Sequence, residues 1–364
     1  MPKKAKAPVS LDLHKILKDL KSDYADTICM IGDTTSPRSL APDRIATGAI
    51  NLDWATGGGI PTGRITELYS RKESEGKSTI ACGVMREAQK NGAACLFLDP
   101  EQSTLASRVQ KLGLDKDKLL YGQPRSVEHA FGMADKFIKA TREAGHTGNI
   151  VVVLDSIASM NTEQQFAADY DKQQVASLAR ALSASLKPLN KTVADCNAVF
   201  LATNQVRQNI GVRYGETLIT PGGLALKFYA SLRIELRRLG KIYDKQKGEK
   251  NQIGIEVRAT VKKSKVGMPF LTADLNILFA SGVDPAASAF NFALQRHLVN
   301  KEGNSYLFKG MKKTFFRDDF GDYLAEHPEL EQKIYAELDS SLQEVTNVSL
   351  ETGDDDDDEV TADE

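Results

Sequence analysis

The chain has 364 residues, of which 41% are hydrophobic and 26% are charged, and its formal net charge is −2. These values are ordinary for a soluble globular protein with a full-sized core. No apolar run reaches the length of a membrane span, and the opening segment MPKKAKAPVSLDLHKILKDL lacks the apolar stretch of a secretory signal. We therefore expect a cytoplasmic protein without membrane contact.

The cysteines and histidines are scattered along the chain and show no metal-ligand spacing. We expect no structural metal and reduced cysteines that serve in packing. The cysteines are Cys29, Cys82, Cys95 and Cys196.

The first 35 residues are predicted to form a small oligomerisation arm. Ser10 can cap a helix in which Leu13, Ile16, Leu17 and Leu20 recur at helical spacing. A short strand candidate follows at residues 28–31, and a Ser/Pro-rich connection suggests a boundary near residue 36.

From residue 36 to about 282, strand candidates alternate with segments of helical length, such as residues 78–91 and 175–195. Their apolar runs are nearly continuous, which is typical of parallel strands covered on both faces. The pattern predicts an α/β fold with a doubly wound, mostly parallel sheet. The strand candidates are RITELY (64–69), ACLFLD (94–99), NIVVVLD (149–155) and AVFLAT (198–203).

Beyond residue 225 the period changes. LRIELRRL and IGIEVRATV alternate apolar and polar residues, which predicts an antiparallel extension joined by the polar loop YDKQKGEK. Residues 283–350 are predicted to form a small α+β C-terminal domain with a final helix. Residues 351–364 carry the acidic run from Asp354 to Glu359, which predicts a disordered tail, either solubilising or regulatory.

A phosphate-binding loop is predicted between the strand RITELY and the helix that follows it. In LYSRKESEGKST, Lys77 would reach the β- and γ-phosphates and Ser78 would hold Mg²⁺. Backbone N–H groups and the helix dipole would bind the phosphate oxygens. Arg71 stands where such loops carry glycine, and a positive φ there would cost about 1–2 kcal/mol.

Two further carboxylates fit the same site. Asp155 ends the strand NIVVVLD and can hold the magnesium shell, while Glu101 follows ACLFLD and can orient an attacking water. Acids at strand ends often only cap the next helix. Three strand ends that meet at one edge of a parallel sheet are a stronger signal, because ligands bind there. The sequence predicts an ATP site.

Longer segments resemble the RecA recombinase family, either bacterial RecA or a phage-encoded relative. The resemblance covers about residues 10–330 and implies a RecA-type P-loop ATPase core. The segments that carry it are ATGAINLDWATGGGIPTGRITELY, LFLDPE, VVVLDS, ATNQVRQNIGVRYGE, PGGLALKFYASLRIELRR and KKSKVGMPF.

The resemblance also implies a set of nucleotide-contacting residues. Arg108 stands where the family usually has a tyrosine against the adenine, so a guanidinium would stack there instead. Asn204 and Gln205 would sense the γ-phosphate, and Lys263 and Lys265 would reach the ATP of a neighbouring chain. The remaining contacts implied are Glu73, Ser74, Glu75, Gly76, Thr79 and Asp99.

Two long loops are expected to bind single-stranded DNA. The second loop, QNIGVRYGETLITPGG, combines cations, an aromatic residue and a glycine hinge, which suits single strands, although an ordinary solvated loop would look similar. The family's first DNA loop corresponds to residues 163–174. The implied contacts of the second loop and of the intervening helix are Arg207, Arg213, Tyr214, Gly222, Gly223, Arg180, Ser183 and Lys187.

A second DNA site is implied on the antiparallel strands. Charged strand faces are usually only solvated, but the matching face of the family receives duplex DNA. The residues concerned are Arg237, Arg238 and Arg258.

We therefore expect an ATP-dependent recombination protein that forms a helical filament on single-stranded DNA and catalyses homologous pairing and strand exchange in DNA repair. Single-strand-binding and loader proteins are expected as further partners. Two alternatives remain at this stage. One is a hexameric DNA helicase of the same ATPase superfamily. The other is a non-catalytic DNA-binding mediator, if Arg71 disables the phosphate loop.

Overall fold

The computed structural model describes residues 13–24, 42–102, 106–167, 177–208, 218–219, 224–244 and 251–347. The chain divides into two units, Met1–Asp43 and Arg44–Glu364. In the first unit, helix α1 (Leu13–Tyr24) contains the predicted amphipathic positions. Ser10 and the strand candidate at 28–31 lie outside the described residues.

The second unit contains a large sheet, a smaller three-stranded sheet and two short strand pairs. Its strands are β1 (Arg44–Ile45), β2 (Ile60–Pro61), β3 (Arg64–Ser70), β4 (Ala94–Leu98), β5 (Leu119–Gly122), β6 (Ile150–Leu154), β7 (Val199–Gln205), β8 (Arg207–Gln208), β9 (Leu218–Ile219), β10 (Leu232–Tyr243), β11 (Gln252–Ser264), β12 (Thr272–Leu278), β13 (Gly282–Val283), β14 (Val299–Glu302), β15 (Ser305–Phe308) and β16 (Thr314–Phe315). Its helices are α2 (Ile50–Ala55), α3 (Lys77–Lys90), α4 (Ala106–Lys111), α5 (Val127–Glu143), α6 (Glu163–Ala167), α7 (Ser177–Asp195), α8 (Ala225–Tyr229), α9 (Pro285–Gln295), α10 (Phe320–Glu326) and α11 (Pro328–Asn347).

Within the described residues, the main sheet has nine strands in the order β13-β12-β11-β10-β3-β7-β6-β4-β5. Neighbouring strands from β5 to β10 are parallel, and those from β10 to β13 are antiparallel. This is the predicted α/β fold with an antiparallel extension. Strands β5 and β12 were not predicted, because LLYG is short and TADLNIL carries three polar residues.

Helices cover both faces of the parallel part. All five residues of β6, IVVVL, are buried. One hydrophobic cluster joins the sheet to α2 and α3, and a second joins the opposite face to α5 and α7. Covering on both faces explains why these strands have continuous apolar runs. In β11, by contrast, buried and exposed positions mostly alternate.

The C-terminal segment combines α9, α10 and α11 with the sheet β14-β15-β16. Phe290 packs edge-on against Tyr306 and Phe320, with ring centroids 4.8 and 5.4 Å apart. These side chains belong to the same hydrophobic cluster as β10, β11 and β12. The segment therefore packs directly on the core.

Cys82, Cys95 and Cys196 are free thiols, and Cys29 lies outside the described residues. In the part of the chain that the structure describes, no helix has both the length and the apolar character needed to cross a membrane.

Candidate active site

The loop between β3 and α3 has the backbone geometry of a phosphate cradle. Strand β3 ends at Ser70, and α3 begins at Lys77 after Gly76, whose φ is 93°. Positive φ favours glycine, and a Cβ at this position would collide with Ile277. The N-terminus of a helix therefore opens on the loop, an arrangement that binds phosphate oxygens.

Arg71 is not among the residues with positive φ. The left-handed residues of the loop are Ser74, with φ 55°, and Gly76. Arg71 instead forms an ion pair with Glu235, with 3.1 Å between Nε and Oε1. The cost considered for a positive φ at Arg71 therefore does not arise, because the chain makes its left-handed turns further along the loop.

Lys77 lies buried at the base of the loop. Its Nζ donates to Ser70 Oγ at 2.6 Å, and that hydroxyl donates to Lys72 O at 2.7 Å. Burial lowers the pKa of Lys77, and the nearby carboxylates, led by Asp155, oppose that shift. Ser70, whose hydroxyl accepts from the Lys77 amine, was not among the predicted site residues.

Glu75 braces the loop. Its buried carboxylate accepts the backbone N–H groups of Lys72 and Arg238, each at 3.2 Å. The residue thus ties the loop to β10 while it also lines the cavity beside Gly76.

A cavity of about 460 Å³ lies at the C-terminal ends of β4, β6 and β7, beside the loop. It brings together predicted residues from four separate segments of the chain. Ligands of α/β proteins bind at this edge of the sheet. The predicted residues that line it are Glu73, Ser74, Lys77, Ser78, Glu101, Asp155 and Gln205.

The oxygen atoms of this cavity suit a magnesium ion. Asp155 accepts a hydrogen bond from the Thr203 hydroxyl and also bonds Ser78, while burial raises its pKa. Ser156 Oγ donates to Glu101 Oε1 at 2.8 Å. Mg²⁺ prefers one or two protein oxygens together with water and substrate phosphates. Within the described residues, no group of three or more His, Cys, Asp or Glu could hold a metal alone.

A second cavity of about 570 Å³ extends from the other side of the loop. Thr79 and Arg108, which were predicted to contact the nucleotide, line it, and so do Phe279 and Ile277 at the end of β12. Phe279 is 59% exposed. Sequence reasoning missed this aromatic residue, because its position depends on β12 lying beside β11. The hint in the sequence was an aromatic residue followed closely by glycine after an apolar strand.

Two predicted contacts lie apart from these cavities. Asp99 is buried and accepts a hydrogen bond from the Tyr121 hydroxyl at 3.0 Å, and it lines neither cavity. Asn204 is also buried, and its Oδ1 accepts the N–H of Gln205 at 2.9 Å. Gln205 lines the cavity of about 460 Å³, hereafter the phosphate-side cavity, and Asn204 does not.

Lys263 and Lys265 also lie away from the two cavities beside the phosphate loop, and Lys265 lines a separate cavity of about 420 Å³. Lys263 Nζ donates to Lys227 O at 2.6 Å, and Lys265 Nζ donates to Phe228 O at 3.4 Å. Burial and the neighbouring cations, first Lys265 and then Arg233, lower the pKa of Lys263 to about 8.

The predicted DNA contacts on α7 share an exposed face. Arg180, Ser183 and Lys187 are exposed, whereas Leu182 and Leu186 are buried in the core. In the first loop, α6 is described and residues 168–174 lie outside the described residues. In the second loop, Arg207 belongs to β8, which pairs with β9. Outside the described residues lie Arg213, Tyr214, Gly222 and Gly223.

Arg237 and Arg238 are exposed on β10, and Arg237 is the cross-strand neighbour of Arg258. Two hydrogen bonds of 2.7 and 2.9 Å join Arg258 to Asp274. In the described part of the chain, neither Arg237 nor Arg238 forms an ion pair. These two guanidinium groups are better suited than Arg258 to meet an external phosphate.

Comparison with known proteins identifies the family of the chain. The model of the RecA N-terminal domain family matches residues 11–284. The chain belongs to the RecA family. Protein RecA of Rickettsia massiliae is 34% identical over 317 residues, which cover 86% of this chain and 89% of that protein. Protein RecA of Legionella pneumophila is 36% identical over 317 residues, 86% of this chain and 87% of that protein. Protein RecA of Rickettsia prowazekii is 33% identical over 310 residues, 85% and 88% of the two chains.

Membership of the RecA family answers the functional question left open by the sequence. The chain is an ATP-dependent recombinase of DNA recombination and repair, a DNA-dependent ATPase with strand-exchange activity. It binds ATP and DNA and forms filaments. The hexameric helicase and the non-catalytic mediator are not favoured.

Proposed function

We propose that this RecA-family chain hydrolyses ATP in a site built from two neighbouring chains of the filament. One observation carries the proposal: Lys77, Ser78, Glu101, Asp155 and Gln205, from four separate segments, line one cavity beside the phosphate loop. A nucleic acid that orders the chains into a filament then completes the site.

In the nucleotide's own chain, the loop N–H groups and Lys77 bind the phosphate oxygens, and Ser78 and Asp155 hold Mg²⁺. When bound, the ion supplies positive charge to the phosphate oxygens. Arg108 and Phe279 enclose the base in the second cavity. Glu73, Ser74 and Thr79 complete the walls around the phosphates and sugar.

Glu101 serves as the base that orients water. Its carboxylate is exposed at the cavity and bonded to the Ser156 hydroxyl. The carboxylate accepts a proton of the attacking water as the water oxygen bonds to the γ-phosphorus, while the bond from that phosphorus to the β–γ bridging oxygen breaks and ADP leaves. Gln205, on the wall of the same cavity, senses the γ-phosphate with support from Asn204.

Lys263 and Lys265 act on the neighbouring chain's ATP. Neither lysine lines a cavity beside its own phosphate loop, yet burial and neighbouring cations disfavour a charged Lys263. A partner's γ-phosphate relieves that repulsion and gains two cations, as with an arginine finger. A head-to-tail contact of this kind generates an open helix.

Single-stranded DNA binds along the exposed face of α7 and the two loops, chiefly through its phosphates. Arg237 and Arg238, with a smaller contribution from Arg258, form the second surface that receives the duplex. We further propose that the protein acts in the cytoplasm and meets single-strand-binding and loader proteins. The acidic tail competes with DNA for the basic surface.

The proposal is tested by mixing two inactive variants, Glu101→Ala and the double variant Lys263→Ala/Lys265→Ala. Random co-assembly leaves about a quarter of the interfaces with both halves intact, by counting neighbours in a head-to-tail array. DNA-dependent ATP hydrolysis should reappear at roughly a quarter of the parent rate.

The matched control mixes Glu101→Ala with Lys77→Ala, which both damage the nucleotide-binding half. No interface in that mixture is intact, so hydrolysis should stay absent. If the first mixture also stays inactive although co-filaments form, the lysines do not act on a neighbouring site.

A further inference from the structure

Glu67 is a buried carboxylate in a central strand of the main sheet. It lies in β3, between β7 and β10, and its side chain is wholly buried. Oε1 accepts from Asn204 Nδ2 at 3.0 Å, and Oε2 accepts from Arg233 Nε at 2.6 Å. Each carboxylate oxygen is therefore bonded to a side chain of a different neighbouring strand.

A buried ion pair is weak evidence for stability. Burial of both charges costs several kcal/mol per ion, and well-packed apolar residues often serve equally well. Arg233 is also fixed by stacking, because its guanidinium carbon lies 4.7 Å from the centre of the Tyr69 ring. These contacts fix the orientation of the Glu67 and Arg233 side chains. The strands that Glu67 joins, β7 and β10, indicate the role of that orientation.

One end of the connection reaches the phosphate-side cavity. Asn204, held by Glu67 through its amide nitrogen, accepts the backbone N–H of Gln205 through its amide oxygen. The Gln205 side chain lines the cavity. A movement of the Gln205 main chain on binding a γ-phosphate therefore shifts Asn204 and, through it, Glu67.

The other end reaches the lysines. Arg233 is the cross-strand partner of Lys263 on β11. The two cations repel each other, and Glu67 is the carboxylate whose charge opposes the lowering of the Lys263 pKa. A shift of the Glu67–Arg233 pair therefore changes the electrostatic potential at Lys263 and the position of the strand backbone beside it.

We propose that Glu67 is a positioning residue that couples Gln205, in the site of its own chain, to Lys263, in the site of the next chain. The inference rests on the roles proposed above for Gln205 and Lys263. Occupation of one site by ATP then prepares the lysine that completes the neighbouring site. The filament should accordingly show cooperative dependence on ATP.

The test is the variant Glu67→Gln. Its amide oxygen can accept from one partner, but its amide nitrogen faces the other donor, so the connection is broken with little change of shape. At saturating single-stranded DNA, kcat should fall about tenfold, an energy difference of about 1.4 kcal/mol. The Hill coefficient for ATP should fall from above 1 in the parent to about 1. Binding of a fluorescent ATP analogue without DNA should change by less than about twofold.

The matched control is Asp135→Asn. Asp135 also accepts from two side chains on α5 and α7, Lys139 at 2.7 Å and Thr192 at 2.6 Å, outside both cavities. Its kcat and Hill coefficient should equal those of the parent. Should Glu67→Gln fail to fold, Arg233→Lys keeps the charge but loses the Nε donor and should show the same loss of cooperativity.

A parent Hill coefficient of 1, or an unchanged kcat and Hill coefficient in the Glu67→Gln filament, overturns the inference. The single variant Lys263→Ala distinguishes the role of Lys263 in the neighbouring site from the coupling through Glu67. If it hydrolyses ATP at the parent rate, the proposed role of Lys263 fails. If it is impaired while Glu67→Gln behaves like the parent, the coupling through Glu67 alone fails.

Discussion

Replacement of Phe279 by alanine should weaken ATP binding through the base alone. Phe279 lines the second cavity and is 59% exposed, which leaves surface for a base to cover. Stacking of a base on an aromatic side chain contributes about 1–3 kcal/mol. Because Arg108 lines the same cavity and offers a second planar group, we expect the lower part of that range, about 1–2 kcal/mol. The dissociation constant for ATP should therefore rise roughly 5- to 30-fold.

The assay compares two ligands on the same variant. Inorganic tripolyphosphate makes the phosphate contacts but has no base, so its affinity for Phe279→Ala should equal that for the parent. The matched control is Phe270→Ala, which removes another exposed ring, 70% exposed, that lines neither cavity. Equal losses of ATP and tripolyphosphate affinity, or no loss of ATP affinity, would refute a base site at Phe279.

Three further predictions concern other parts of the chain. Lys77→Ala should abolish hydrolysis by removing the amine beside the phosphates, whereas Glu101→Ala should keep ATP bound and persist on DNA; DNA dissociation in ATP as fast as the parent's would contradict the role of Glu101. Deletion of residues 354–364 should strengthen duplex binding, most at low salt, in titrations across ionic strength; unchanged affinity throughout would indicate a purely solubilising tail. Burial raises the pKa of Asp53 from 3.8 to about 7, so the folded chain retains a proton that the unfolded chain releases. The free energy of unfolding should therefore fall as pH rises from 3.8 to about 7. Thermal unfolding across this range should depend less on pH in Asp53→Asn than in the parent, and an equal dependence would contradict the prediction.

Much of the fold could be predicted because local pattern and tertiary position agree. The run NIVVVLD predicts a strand covered on both faces, and β6 is fully buried. The alternation in LRIELRRL predicted half-buried antiparallel pairing with the next strand, as found for β10 and β11. Strand β5 was missed, because LLYG is an edge strand with two exposed residues and carries neither pattern.

The site was predictable where residues follow strands along the chain and unpredictable where strand order decides. Glu101 and Asp155 could be assigned to one cavity, because parallel strands end at the same edge. Phe279 and Glu67 could not, since their contacts come from β12 lying beside β11 and from β3 lying between β7 and β10. The backbone at Arg71 also escaped prediction, because loop spacing does not say which residue takes positive φ.

The rate of ATP hydrolysis with and without single-stranded DNA tests the central claim most directly. A free chain with ATP in its phosphate loop lacks the neighbour's Lys263 and Lys265. DNA assembles the filament that supplies these two lysines. Hydrolysis should therefore be slow in free protein, rise strongly on addition of single-stranded DNA, and be lost in Glu101→Ala under both conditions. A parent rate that is the same with and without DNA would contradict the account.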